Sequence, residues 1–116
     1  MKALEGVRVL DLTHMLSGPY MAMMLADLGA ETIKVEPPRR GEGTRKLLAT
    51  DPNNSVEGMG AYFLTLNRNK KSVTINLKSP EGLEIFYDLV RESDIVLTNF
   101  SAGVTKRLGI HYDDLS

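Results

Sequence analysis

At 116 residues, 42% hydrophobic and 25% charged, the chain has the size and balance of one globular domain with a small core. Fourteen Lys and Arg against fifteen Asp and Glu leave a net charge of −1, which excludes a global field for drawing in nucleic acid or anionic lipid. The absence of cysteine removes disulfides, thiol nucleophiles and thiolate metal sites. No apolar run approaches the roughly 20 residues that span a bilayer, and Met1–Glu5 lacks the apolar core of a signal peptide. Cytoplasmic placement is expected, with neither nucleic acid nor membrane as partner.

Taken in chain order, the first element is a strand from Arg8 to Leu12, where Val9, Leu10 and Leu12 give the apolar run of a strand covered on both faces. A helix follows, capped by Ser17 or Thr13, with Pro19 tolerated in its first turn. Met21, Met24, Leu25 and Leu28 fall at helical spacing and predict its buried stripe, and Gly29 stops it. Thr32–Val35 reads as the second strand. From Pro37 to Gly60 prolines, glycines, charges and asparagines break the pattern, a loop long enough to suggest a functional or mobile segment.

Order returns at Tyr62–Leu66, followed by the basic run Asn67–Lys71 and a third strand at Val73–Leu77. Ser79-Pro80-Glu81 is a strong helix start, with a cap, a proline in the first turn and an acid at the positive end of the dipole. Leu83, Phe86, Tyr87 and Val90 form the buried stripe of that helix, leaving Glu81, Glu84, Asp88 and Arg91 to water. Ile95–Thr98 is the fourth strand, and Ser101 caps a short helix that Gly109 ends. Strands alternating with helices predict an α/β fold: an open, mainly parallel, Rossmann-like sheet with flanking helices, one domain over residues 1–116.

In such a sheet the segments after the strands share one edge, where ligands bind. Thr13–Ser17, Glu36–Arg40, Asn76–Lys78 and Asn99–Ser101 occupy it, supplying amides and cations. Basic residues crowd between Arg39 and Lys78, which suits a phosphate-bearing ligand; the alternative is a solvated basic loop opposite acidic helix faces. Glu36 ends the second strand, where an acid often holds a ribose hydroxyl. The first turn, however, has Leu16 and Pro19 where a dinucleotide fingerprint needs glycine, so ordinary NAD binding is not expected, and no P-loop is present. His14 lies on the crevice edge as a ligand contact or a turn residue, Asp11 reads as structural, and Asp113 and Asp114 form a turn or cap. No metal-ligand spacing and no nucleophile with an adjacent base is legible, so no catalytic residue is assigned.

These pieces, in order, resemble the family III coenzyme A transferases, a group that includes formyl-CoA transferase, carnitine CoA-transferase and α-methylacyl-CoA racemase. The resemblance is carried by Leu4-x-Gly6-x-Arg8-Val9-Leu10-Asp11-Leu12-Thr13, Gly18-Pro19, Leu25–Ala30, Ile33–Pro38 and Gly41-Glu42-Gly43-Thr44-Arg45. It continues through Asn67–Ser72, Asn76–Gly82, Asp94–Phe100 and Gly103-x-x-x-Arg107-Leu108-Gly109. It implies an N-terminal CoA-binding domain of a larger, interlocked-dimer fold. Leu16 and Ser17 would border the nucleotide, and Ile75, Asn76, Leu77 and Lys78 would line it. Asn99, Phe100 and Ser101 would contact CoA, Arg107 would answer a phosphate, and Arg39 or Arg40 would replace the family's arginine after the second strand. Leu16 stands where some transferases carry glutamine.

The implied activity moves CoA between an acyl-CoA and a carboxylic acid in a homodimer, with no metal. The family's nucleophilic aspartate corresponds to a position beyond Ser116, so this chain alone is expected to be inactive. A racemase of the same superfamily and a stand-alone nucleotide-binding or interaction module remain the other readings.

Overall fold

A computed structural model describes residues 1–116. In chain order it comprises β1 (Arg8–Asp11), α1 (Ser17–Asp27), β2 (Glu31–Glu36), a 3₁₀ turn (Gly43–Lys46), β3 (Ser55–Val56) and β4 (Met59–Gly60). There follow α2 (Ala61–Leu66), β5 (Lys70–Thr74), α3 (Pro80–Arg91), β6 (Ile95–Leu97), α4 (Val104–Leu108) and α5 (Tyr112–Leu115). The main sheet has the order β5-β2-β1-β6 with every neighbouring pair parallel, and β3 and β4 form a small antiparallel hairpin. This is the α/β architecture that the alternation of elements implied.

Side chains alternate across a strand, so register decides what each face of the sheet presents. Leu10 is level with Ile33 and, beyond it, Lys71; Asp11 is level with Lys34 and Ser72. One face carries Leu10, Leu12, Val35 and Ile75, which pack with Phe86 of α3 and with Ile110 into the main core. The other face, toward α1, carries Asp11, Thr32, Lys34 and Glu36, all buried. The sheet is therefore apolar on one side and charged on the other. The charged side holds the structures that shape the site.

Helix α3 begins as the sequence indicated: the Ser79 hydroxyl accepts from Gly82 N–H, Pro80 is in the first turn, and Phe86 is fully buried. Gly82 is required there, because a Cβ would overlap the Asn76 carbonyl.

Four expectations need correction. The buried stripe of α1 is Pro19, Ala22, Met23 and Ala26, while Met21, Met24 and Leu28 are exposed. Both sets have helical spacing; the small alanines allow close approach to the sheet, which side-chain hydrophobicity alone does not register. Neither Ser17 nor Thr13 caps α1: Leu16 is the N-cap residue and makes no side-chain capping hydrogen bond. The Thr13 hydroxyl donates instead to Asp11.

The third main-sheet strand starts earlier than Val73 and ends at Thr74. Its lysines are tolerated because Lys70 pairs with Asp11 at 2.8 Å and Lys71 with Glu31 at 2.5 Å. Finally, α4 is entered through Gly103, with φ +83°, and not through Ser101, while Gly109 at φ +74° ends it as expected.

Candidate functional site

A cleft of about 730 Å³ opens where β1, β2 and β5 end. Its walls are Leu12–His14, Val35–Gly43 and Ile75–Lys78, closed on one side by Phe100 and Leu108. A second pocket of about 380 Å³ shares Leu77, Lys78 and Leu108 with it and adds Ser79, Pro80, Leu83 and Arg107. The two pockets therefore adjoin at Leu77, Lys78 and Leu108.

Of the residues singled out from the sequence, Arg39, Ile75, Asn76, Leu77, Lys78 and Phe100 line the larger cleft. Arg107 lines the smaller pocket with Lys78. Leu16, Ser17, Asn99 and Ser101 lie outside both linings and are exposed. Asn99 is occupied: its Oδ1 accepts His14 N–H at 3.0 Å and its Nδ2 donates to His14 O at 2.7 Å. It thereby ties the ends of β1 and β6 together. The His14 ring meets Phe100 edge-on at 5.5 Å, placing both on the cleft wall.

The basic run divides sharply. Arg45 pairs with Glu36, Arg68 with Asp27, Lys70 with Asp11 and Lys71 with Glu31. Arg39, Arg40, Lys78 and Arg107 form no ion pair and are exposed on the walls of the two pockets. Four cations with no internal anion make an electropositive rim.

Glu36 is not free for a ribose. Its carboxylate accepts from Arg45 Nε and Nη2, from Glu42 N–H and from the Ser72 hydroxyl, each at 2.7 Å. Burial pushes this carboxyl up, but those donors outweigh it and hold it down to about 2. A carboxylate with its lone pairs filled by the protein reinforces the first turn's departure from a dinucleotide fingerprint.

Sequence reasoning missed the charges that fix the connection between β1 and α1. Asp11 is fully buried beside Lys34 and Lys70. Lys34 Nζ donates to Thr13 O at 3.0 Å, and Lys70 Nζ donates to Pro19 O at 3.0 Å and to Asn67 Oδ1 at 2.8 Å. Burial lowers the Lys70 ammonium, an effect that its bond to Asp11 opposes. Glu42, 5% exposed, accepts Met15 N–H at 2.8 Å and Thr44 N–H at 3.2 Å. Met15 has φ +70°, a left-handed conformation that costs an L-residue about 1–2 kcal/mol. Gly18 lies against this turn, and a Cβ there would overlap the Thr13 side chain. One signal was available: Lys34 between Ile33 and Val35 is a charge in the middle of a strand, which asks for a buried partner.

Among titratable side chains, no group of three or more His, Asp or Glu is arranged to hold a metal ion. No helix is long and apolar enough to cross a membrane.

Comparison with known proteins places these features in a family. The family model for CoA-transferase family III matches residues 4–116. The chain is 44% identical over 115 residues to succinyl-CoA:glutarate CoA-transferase of Mus musculus, covering 99% of this chain and 26% of that protein. It is 44% identical over 114 residues to formyl-CoA:oxalate CoA-transferase of Bradyrhizobium sp., covering 98% and 26%. A crystal structure of a CAIB/BAIF family protein from Brucella suis superposes with a TM-score of 0.88 at 39% identity, covering 98% of this chain and 30% of that one. The chain thus spans about a quarter of the length of the curated relatives it matches. With the parallel sheet and the ordered motifs, these matches establish that the chain belongs to CoA-transferase family III.

Proposed function

We propose that this chain forms the CoA-binding wall of an enzyme that moves CoA from an acyl-CoA thioester to a carboxylic acid. The observation that carries the reading is the rim of unpaired cations, Arg39, Arg40, Lys78 and Arg107, around two adjoining pockets at the strand ends. CoA offers three phosphate groups, and flexible cations at the mouth of a cleft suit them. Arg39, Lys78 and Arg107 are assigned to phosphates. Ile75, Leu77 and Phe100 supply apolar wall for the adenine and pantetheine portions, with Asn76 beside them. Leu16, Ser17, Asn99 and Ser101 border the ligand from outside the pocket linings.

The names of the relatives support the substrate class, an acyl-CoA with a carboxylate acceptor. In this reading the nucleophilic carboxylate comes from outside residues 1–116, the chain alone has no transferase activity, and the complete enzyme works as a cytoplasmic homodimer without a metal. A racemase acting on acyl-CoA would use the same CoA wall and differ in residues outside this chain. The exposed stripe of Met21, Met24 and Leu28 on α1 favours a domain that packs against further protein over a free-standing module.

Calorimetric titration with CoA, dephospho-CoA and NAD tests the reading. Saturable binding of CoA, weaker binding of dephospho-CoA and none of NAD are expected. Equal responses to CoA and NAD would discard it.

A further inference from the structure

The connection between β1 and α1 is a wall of the larger cleft through Leu12, Thr13 and His14. Side chains from other elements grip its backbone: Lys34 holds Thr13 O, Asn99 holds both polar groups of His14, and Glu42 holds Met15 N–H. Glu42 differs from the other two because it joins the wall after β1 to the arginine-bearing loop after β2. Its Oε1 accepts from Met15 after β1, and its Oε2 accepts from the N–H and hydroxyl of Thr44 in the loop after β2. That second loop carries Arg39 and Arg40, and Glu42 itself lines the cleft.

Two further facts set Glu42 apart from an ordinary packing contact. It is a buried carboxylate in no ion pair: Arg45 and Lys70 act on it only through space, and its direct partners are N–H and O–H donors. A neutral side chain could bridge two loops with far less desolvation, which makes a buried carboxylate an expensive choice for mere support. Its partner Met15 is also held in the left-handed region, which a bulky L-residue keeps only when the surroundings fix it.

We propose that Glu42 is a positioning residue for ligand binding: it locks Met15 so that the wall after β1 and the arginine-bearing wall after β2 face the ligand in one fixed relation. This rests on the reading of the cleft as a CoA site and adds the residue that sets its shape. Glu42 touches no ligand in this proposal. It acts through the backbone of Met15.

The test compares the parent chain with Glu42→Gln by amide hydrogen exchange, thermal unfolding and CoA titration. Glutamine keeps the volume but has one acceptor oxygen and no charge, so the Met15 N–H bond is lost where the amide turns its NH₂ to Met15 and is weakened to a neutral one where it turns its oxygen there. Exchange at Met15 N–H and the Kd for CoA should each rise about tenfold, the loss of one hydrogen bond to a charged group. The thermal midpoint should fall by several degrees, as the loss of one such bond requires, and the exchange of Val9 and Leu10 in β1 should rise by no more than that fall in global stability accounts for.

Should the glutamine variant fail to fold, Thr44→Val removes one donor from the same carboxylate at nearly constant volume and should give the same signature at smaller amplitude. Unchanged protection of Met15, or a released Met15 with parental CoA affinity, overturns the proposal. If the parent binds no CoA at all, the CoA reading falls with the ligand role of Glu42, while the exchange of Met15 still reports whether the clamp exists.

Discussion

The Arg45 guanidinium meets the Glu36 carboxylate side-on, with Nε 2.7 Å from Oε2 and Nη2 2.7 Å from Oε1, while its Cζ stands 3.9 Å from the Phe63 ring centroid. The contact uses both properties of a planar cation, its fork of donors and its flat face. Lysine can reproduce neither. Because Glu36 is 2% exposed, removing the cation strands a buried charge. Arg45→Met should lower stability by about 3–5 kcal/mol in urea unfolding. Adding Glu36→Gln to that variant should recover part of the loss; a double variant no more stable than Arg45→Met would show that the charge was not the cause.

The same pair governs acid stability. The Glu36 carboxyl is held down from 4.5 to about 2, so the unfolded chain takes up its proton at higher pH than the folded one. Its stabilisation is complete above about pH 4.5 and is lost as pH falls through about 2. Asp27, Glu31 and Asp51 are also lowered, so the informative quantity is the difference between parent and variant. Glu36→Gln should show a shallower fall in unfolding free energy between those two pH values. Parallel curves for the two proteins would remove Glu36 from the account.

Helix α1 offers a direct test of which stripe is buried. Met23 is 3% exposed and Met21 is 53% exposed, although they stand two residues apart. Met23→Ala should cost about 2–4 kcal/mol through lost burial and a residual cavity. Met21→Ala should stay within about 0.5 kcal/mol, as surface substitutions do. The reverse order in chemical denaturation would restore the stripe that hydrophobic spacing suggested.

The limits of sequence reading are physical. Local signals carried the architecture: Ser79-Pro80 opens α3, Gly109 closes α4, and the apolar strands fall close to their expected positions. The edge that the strand ends form was legible for the same reason, and it placed Arg39, Ile75–Lys78 and Phe100 on the cleft wall. What escaped depends on pairing across long stretches of chain. Lys70 reads as part of a solvated run until Asp11, 59 residues earlier, takes its charge. Arg45 and Arg39 look equivalent in sequence, yet one is spent on Glu36 and the other faces the cleft. Glu42 gave no sign of its role, because the donors it meets are mostly backbone amides and carry no residue identity.

Asn99 separates a structural role from ligand contact. Its amide donates to one polar group of His14 and accepts from the other, a match that only an amide makes. Asn99→Ala loses both bonds and should destabilise the chain by about 1–2 kcal/mol. Asn99→Asp keeps the acceptor for His14 N–H but sets an oxygen against His14 O, where Nδ2 now lies at 2.7 Å. The aspartate variant should therefore be less stable than the alanine variant, even though its shape is nearly that of asparagine. An aspartate variant as stable as the parent would mean that this clip contributes nothing.

Lys78 and Arg107 test the electropositive rim with little risk to the fold, since both are exposed and neither forms an ion pair. Lys78→Ala and Arg107→Ala should leave the unfolding free energy within about 0.5 kcal/mol of the parent. Each should weaken CoA binding by about tenfold, the scale of one charge-assisted contact to phosphate. Lys78 belongs to both pockets and Arg107 only to the smaller one, so the two losses need not match. Salt provides the internal control. Exposed cations are screened over about 8–10 Å at physiological ionic strength, so parental affinity should fall as salt rises, and each variant should show a shallower slope. If both variants bind CoA like the parent at low salt, the phosphates do not sit at Lys78 and Arg107, and Arg39 and Arg40, the remainder of the rim, become the next residues to replace.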